Sequence, residues 1–303
     1  MQITPPPEPS RRQWFLSASL FAATFLTTTL AGLFHAGGDV DLLTAALAVS
    51  AQPSVVLLGL PFSITLMAIL LAHELGHFLA CRYYGIRCTP PYFIPSPFLF
   101  AGTFGAFIRI RSPFADRRAL FDVGIAGPLV GFAFVIPALA VGISYSKLIA
   151  RGSLGGGITF GEPLLFRWLA KIVLGYSPAT QDMIAHPIAM AGWLGLLVTC
   201  LNLLPIWQLD GGHIAYAVLG REQQRRTSLY ATVGLILISF LGWPVPSYLL
   251  FGILLLVLGS RFRFYHPATL NDDVRLGRGR LLLGAAALAI LLVSFTPVPV
   301  SFG

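Results

Sequence analysis

Charged side chains are scarce in this chain. Only 11% of its 303 residues are Asp, Glu, Lys or Arg, whereas 56% are apolar. Soluble domains carry about 25% charged residues, so the composition excludes an ordinary soluble globular protein. Apolar runs long enough to cross a bilayer recur along the chain. We therefore expect an all-α polytopic membrane protein of about six or seven transmembrane helices, with a short membrane-associated β-strand or hairpin.

Cysteine is also rare. The chain has three cysteines, Cys81, Cys88 and Cys200, and none of them lies in a C-x-x-C pair. This spacing indicates neither a disulfide framework nor a zinc site built from thiolates.

The pattern of apolar runs places the elements along the chain. Residues 1–12 are predicted to be a cytoplasmic tail, and 13–303 a single integral-membrane domain with its core at 55–220 and accessory helices at 13–54 and 228–297. Interfacial helices are predicted near 42–49 and 163–174. The short runs on either side of Pro244 and Pro246 fit either two spans or a re-entrant hairpin. The predicted spans are 14–33, 55–80, 120–143, 187–204, 229–243, 248–258 and 281–295.

Acidic residues are outnumbered by basic ones, and the net charge is +8. Binding to nucleic acid would be one explanation, but the distribution of the charge favours another. If the N-terminus is cytoplasmic and there are seven spans, sixteen Lys and Arg residues fall on the cytoplasmic side and four on the other. Cytoplasmic loops are enriched in Lys and Arg. The charge therefore supports this topology, with the lipid bilayer as partner and no nucleic acid.

The second predicted span carries the sequence HELGH, with His73, Glu74 and His77. On a helix the two histidines, four residues apart, project from one face and can share one Zn²⁺ ion. Glu74 lies about 100° around the same turn, where it can accept a proton from water beside the metal. A soluble amphipathic helix is the alternative. It is disfavoured because Glu74 is the only acidic residue of an apolar run, and a charge at membrane depth usually marks function.

A catalytic zinc site needs a third protein ligand, and Asp210 is the candidate. Spans two and four are predicted to run in the same direction across the membrane. Asp210 lies 23 residues past Pro187, and His77 lies 22 residues past Val55, so the two motifs reach a similar depth. Taken alone, Asp210 would fit better as a turn aspartate that caps a helix before Gly211 and Gly212.

These two motifs together resemble those of the site-2 protease family of intramembrane zinc metalloproteases. The likeness covers about residues 57–220 and includes HELGH, the NLLPIWQLDG stretch at 202–211, Gly102–Phe107 and Phe121–Pro128. It implies a zinc endopeptidase with one Zn²⁺ per chain that cuts a transmembrane segment of a membrane-protein substrate by zinc-activated water. The resemblance assigns His73, His77 and Asp210 to the metal, and Glu74 to the role of general base. Asn202 would steady the substrate backbone or the developing oxyanion.

Many bacterial members of the family insert a PDZ domain between the two motifs. Here the intervening outer loop has only about forty residues, which is too few for such a domain. The chain therefore resembles the compact branch without a PDZ domain, which also has plastid relatives. We expect a multi-pass protein of a prokaryotic inner membrane with a cytoplasmic N-terminus.

The stretch at 101–108 has the aromatic and β-branched residues of a strand. An exposed strand here could hold an unwound substrate by β-augmentation, and a scaffolding role is equally compatible with the pattern. The candidate substrate-binding residues are Gly102, Thr103, Phe104, Gly105 and Phe107.

Other assignments remain open from sequence. A catalytically silent metal-binding scaffold or a metal transporter is the alternative function, although the chain lacks a clear internal repeat and retains the candidate ligands and base. His213 is a candidate to support the metal ligands, and Gly127 and Gly131 are predicted to permit close helix contact. Asp122 is predicted to pair with Arg117 or Arg118.

Overall fold

The computed structural model describes residues 8–37, 42–96, 100–153 and 157–302. Helices dominate this part of the chain, and the predicted β-hairpin is present. The helices are α1 (Arg11–Gly37), α2 (Leu42–Ala51), α3 (Val56–Tyr83), α4 (Arg117–Ser144), α5 (Leu164–Leu174), α6 (Pro187–Leu203), α7 (Asp210–Leu219), α8 (Arg221–Ser239), α9 (Leu249–Arg261) and α10 (Arg278–Ser294). Three antiparallel pairs of strands accompany them: β1 (Tyr92–Pro95) with β2 (Thr103–Phe107), β3 (Lys147–Ala150) with β5 (Gln181–Ile184), and β4 (Ile158–Phe160) with β6 (Val300–Phe302).

Three helices of the described residues are long and apolar enough to cross a membrane. They comprise Arg11–Ala36, Pro53–Tyr83 and Arg117–Ser144 and correspond to the first three predicted spans. The apolar helices α6 and α9 have 17 and 13 residues. At 1.5 Å per residue they are shorter than a bilayer core of about 30 Å. The total of six or seven spans therefore stays a prediction.

Helices α3, α4 and α6 pack together at the centre of the molecule. Small residues allow this close approach: a Cβ at Gly76 would lie 2.6 Å from the carbonyl oxygen of Ala126, and one at Gly142 would overlap the backbone of Ala189. The helices can therefore pack backbone to backbone, as glycine at a helix interface permits. Large apolar side chains such as Trp193 fill the remaining space and are fully buried.

The β1–β2 hairpin lies against α1. The hydroxyl of Ser17 donates to the carbonyl of Pro91 at 2.6 Å, and that of Thr27 donates to the carbonyl of Gly102 at 2.7 Å. Gly102 has φ +70°, and a Cβ there would lie 2.5 Å from the carbonyl oxygen of Thr27, so only glycine fits this position. The hairpin is thereby fixed to the first helix.

The segment after α4 contains more strand than the sequence indicated. The predicted interfacial helices are present as α2 and α5, but β3, β4 and β5 were not expected. Their partners are far apart in sequence, and β4 pairs with β6 at the C-terminal end of the chain. These strands and α5 follow α4 in the chain and form a layer beyond its C-terminal end at Ser144.

Ion pairs connect the ends of the helices on the side where α1 and α4 begin. The predicted partners of Asp122 are wrong. Its carboxylate accepts hydrogen bonds from Nε and Nη2 of Arg280, at 2.8 and 2.6 Å, and from the Tyr84 hydroxyl. Arg117 instead lies 3.8 Å from Asp272. Asp122 therefore joins α4 to α10 rather than stabilising its own helix.

Candidate metal centre

Helix α3 brings the two histidines of the HELGH sequence together. His73 and His77 lie on one face of the helix, and their Nε2 atoms are 3.1 Å apart. Both side chains are buried. This part of α3 lies in its last three turns, close to the end marked by Arg82.

A break between α6 and α7 supplies the third ligand. Helix α6 ends at Leu203, Pro205 follows, and α7 begins at Asp210. A Cβ at Gly211 would overlap the carbonyl oxygen of Leu203, so the tight return of the chain requires glycine there. Oδ2 of Asp210 consequently lies 3.2 Å from Nε2 of His73 and 3.3 Å from Nε2 of His77.

These three atoms fit a zinc ion. Zinc binds imidazole nitrogen and carboxylate oxygen at about 2.0–2.2 Å in a tetrahedron, which places neighbouring ligand atoms about 3.3–3.6 Å apart. The observed separations of 3.1 to 3.3 Å lie at the short end of this spacing. Nδ1 of His77 donates to the carbonyl of Val123 at 2.7 Å, which leaves the lone pair of Nε2 free for a metal. Among the described residues these three form the group that could hold an ion.

Glu74 and Asn202 border the same cavity of about 180 Å³ as the three ligands. The side chain of Glu74 is buried, and Ile108 lines the same cavity. Nδ2 of Asn202 lies 3.4 Å from Nε2 of His73. The two polar residues that the resemblance placed in the reaction therefore lie beside the three ligands.

Two glycines of α4 shape the pocket for the histidines. A Cβ at Gly127 would overlap Nε2 of His77, and one at Gly131 would lie 3.1 Å from Cβ of His73. The sequence predicted close helix contact at these positions, but the structure shows that the contact is with the candidate ligands. A glycine pair four residues apart, facing an H-E-x-x-H helix, is the signal that could have indicated this role.

The five candidate strand residues lie in different surroundings. Phe107 borders the metal cavity. Gly102 packs on α1, and the hydroxyl of Thr103 is buried within the hairpin, where it donates to the carbonyl of Ile94 at 2.8 Å. Phe104 is exposed, and Gly105 has open space beside it. Ala106, Ile108 and Ile110 also border the cavity; the first two lie within the predicted stretch 101–108 but were not among its five candidate residues.

The free edge of β2 faces the cavity. The amide of Thr89 donates to the carbonyl oxygen of Arg109 at 3.1 Å, and Phe107 lies opposite Tyr92. Because backbone groups alternate in direction along a strand, those of Ala106 and Ile108 face away from β1. Ala106 and Ile108 both border the metal cavity, which agrees with this direction.

His213 borders the cavity and bonds to a residue outside the metal ligands. Its Nδ1 lies 2.5 Å from Nε2 of His266. The segment that carries His266 is fixed by Asp272, which accepts from Tyr216 at 2.7 Å and from Thr269 at 2.6 Å. Burial opposes ionisation of Asp272, but these hydrogen bonds and the charge of Arg117 outweigh it and lower the pKa of its carboxyl.

Comparison with known proteins places the chain in one family. The model of peptidase family M50 matches residues 61–241. The chain therefore belongs to this family, and the resemblance to site-2 proteases is confirmed.

Named relatives come from plants. The chain is 32% identical over 250 residues to the probable zinc metalloprotease EGY1, chloroplastic, of Arabidopsis thaliana, covering 79% of this chain and 43% of the relative. It is 34% identical over 239 residues to the probable zinc metalloprotease EGY2, chloroplastic, of Oryza sativa subsp. indica, covering 78% and 42%. The chain thus spans less than half the length of these relatives. No solved structure matches. Because the relatives are chloroplastic, the prokaryotic inner membrane stays a prediction.

Proposed function

We propose that the protein is an intramembrane zinc endopeptidase that cleaves a transmembrane segment of a membrane-protein substrate. One observation carries the proposal. The ligand atoms of His73, His77 and Asp210 are spaced as in a tetrahedral zinc site, and Glu74 lines the same cavity. Two of these ligands lie on a helix that is long and apolar enough to cross a bilayer. One zinc ion per chain is proposed, since one such group is found among the described residues.

The residues of the chain have separate roles in this proposal. A zinc ion held by the three ligands supplies Lewis-acid polarisation of the scissile carbonyl and makes water more acidic. Glu74 accepts a proton from the attacking water and returns it to the leaving amine. Glu74 borders the cavity together with the three ligands, where it can reach water held beside the metal.

Asn202 is proposed to stabilise the charge that develops on the carbonyl oxygen. Its amide borders the cavity within 3.4 Å of a ligand nitrogen. A side-chain amide can donate to an oxyanion, and such donors are most effective in a site shielded from water. His73, Glu74 and His77, which line the cavity, are buried, and this burial provides that shielding.

The substrate is proposed to bind as an extended strand. A helix hides its own amides, so the substrate must unwind before its carbonyl can be attacked. The free edge of β2 offers the backbone groups of Ala106 beside the metal cavity, where an unwound segment can add as a strand. Among the residues predicted earlier for this role, Phe107 contributes a side chain to the cavity.

Two substitutions test the assignment of roles. Asp210→Ala should lower zinc content because it removes a ligand, whereas Glu74→Gln should keep zinc and lose about 100-fold or more of the activity, the typical contribution of a general base. Zinc is measured by elemental analysis of the purified protein, and cleavage by mass spectrometry of a membrane-reconstituted substrate. Full zinc in Asp210→Ala would contradict the choice of ligand.

The same experiment separates the proposal from a metal-binding scaffold or transporter. A scaffold would bind zinc through the same residues and give no new peptide ends in either the wild type or Glu74→Gln. A substrate-trapping pulldown with Glu74→Gln, followed by analysis of the products made by the wild type, identifies the substrate and its cut site.

A further inference from the structure

A pair of histidines outside the metal ligands lies beside the catalytic cavity. Nδ1 of His213 is 2.5 Å from Nε2 of His266, and Nδ1 of His266 is 2.6 Å from the carbonyl oxygen of Pro267. The two imidazole rings meet nearly at right angles, with centroids 4.7 Å apart. His213 belongs to α7, three residues after Asp210, and His266 belongs to the segment between α9 and α10.

These hydrogen bonds assign the protons of the neutral pair. A carbonyl oxygen only accepts, so Nδ1 of His266 carries a proton and its Nε2 does not. Nε2 of His266 must then accept from Nδ1–H of His213. As a consequence Nε2 of His213 carries a lone pair. None of the described residues donates a hydrogen bond to this nitrogen. Because it is also not one of the fully buried polar atoms that lack a partner, part of its surface is accessible.

The space that His213 borders is large enough for a side chain. His213 borders both the metal cavity and a second cavity of about 480 Å³. The two cavities also share Phe107, Ile108, Ile110 and Gln208, so they adjoin each other. His266 and Arg109 line the second cavity and not the first.

We propose that His213, oriented by His266, forms a substrate subsite that accepts a hydrogen bond from a polar donor side chain next to the scissile bond. This inference rests on the proposed protease function and deepens it, since it names a class of substrate residue. A hydroxyl or carboxamide on the substrate satisfies the lone pair of Nε2, whereas an aliphatic side chain leaves it without a partner. A buried acceptor without a partner is costly, so the subsite selects for the donor.

The test compares isosteric residues in the substrate. A host transmembrane substrate is made with Thr or Val at each position flanking the cut, and kcat and KM are measured with the zinc-loaded protein in liposomes. At one position the wild type should cleave the Thr substrate about fivefold to tenfold more efficiently, the ratio that one hydrogen bond supplies. Absence of a preference for Thr at every position would overturn the subsite.

Two substitutions of His213 assign the preference to one nitrogen. In His213→Asn the amide nitrogen replaces Nδ1 and still donates to His266, but the pocket acceptor is lost. In His213→Gln the amide oxygen reaches the position of Nε2. The Thr-to-Val ratio should fall to about one in His213→Asn and be retained in His213→Gln, while both keep full zinc. An unchanged ratio in His213→Asn would overturn the proposal. Failure of the wild type to cleave any substrate would instead contradict the protease function itself.

Discussion

At the scale of single residues, the metal site depends on glycines, which have no side chain, as much as on its ligands. Gly127 contacts the imidazole of His77 with only its backbone. A methyl group there would occupy space that the metal-binding nitrogen requires. The glycine is therefore a structural part of the metal site although it offers no ligand atom.

Gly127→Ala should consequently weaken zinc binding by about tenfold or more, the usual effect of displacing a group that orients a ligand. Zinc retention during dialysis against a competing chelator measures the effect. Gly234→Ala is the matched control, because Gly234 lies in α8 with open space around it. It should keep zinc and gain up to about 1 kcal/mol of helix stability. Equal zinc retention in the two variants would contradict the steric role of Gly127.

The residues of the site differ in how far the sequence predicted them. His73, Glu74 and His77 were predictable because helical spacing alone brings them together. Asp210 needed the additional match of depth between two spans. The bond of Asp122 to Arg280 connects residues 158 positions apart, and that of His213 to His266 connects residues 53 apart. Such partners depend on how helices pack, which no local pattern encodes.

At the scale of elements, a break in one helix and the free edge of one strand complete the site. The predicted fourth span ended at residue 204, directly before Pro205, and proline cannot continue a helix. The sequence predicted the strand as well, but not which residues reach the cavity. The pairing of the two strands shifts register between Phe93 and Pro95, so side chains do not alternate regularly along β2. Phe104 is therefore exposed, whereas Ala106, two residues later, borders the metal cavity.

The free edge gives a prediction for Ala106. Ala106→Pro removes the amide that we propose the substrate pairs with, and should lower cleavage about tenfold, as expected for loss of one backbone hydrogen bond. Ala106→Ser keeps the amide and should be nearly as active as the wild type. Cleavage rate and zinc content are measured together, so that damage to the metal site is recognised. Similar rates for the two variants, with zinc intact, would mean that the edge serves only as scaffold.

At the scale of the whole molecule, the distribution of charge agrees with the packing. Arg82, Arg117 and Arg280 meet acidic partners at one end of the helix bundle. Lys147 and Lys171 belong to the opposite end, within β3 and α5. The long helices α1, α3 and α4 were predictable because their apolar runs exceed the thickness of a bilayer. The later helices are shorter or begin with charged turns, and hydropathy alone does not decide which of them cross.

The orientation itself can be tested by labelling single cysteines in a variant that lacks Cys81, Cys88 and Cys200. Ser10 and Gly277 are exposed near the arginine-rich end, and Ser153 is exposed in the opposite layer. Because Lys and Arg are retained on the cytoplasmic side, cysteine at Ser10 or Gly277 should react with a membrane-impermeant maleimide only after the membrane is opened. Cysteine at Ser153 should react in intact cells. Labelling of Ser10→Cys in intact cells would reverse the orientation and place the metal site near the outer surface. Labelling of Ser10→Cys and Gly277→Cys from different sides would contradict the helix bundle, since both positions lie at one end of it.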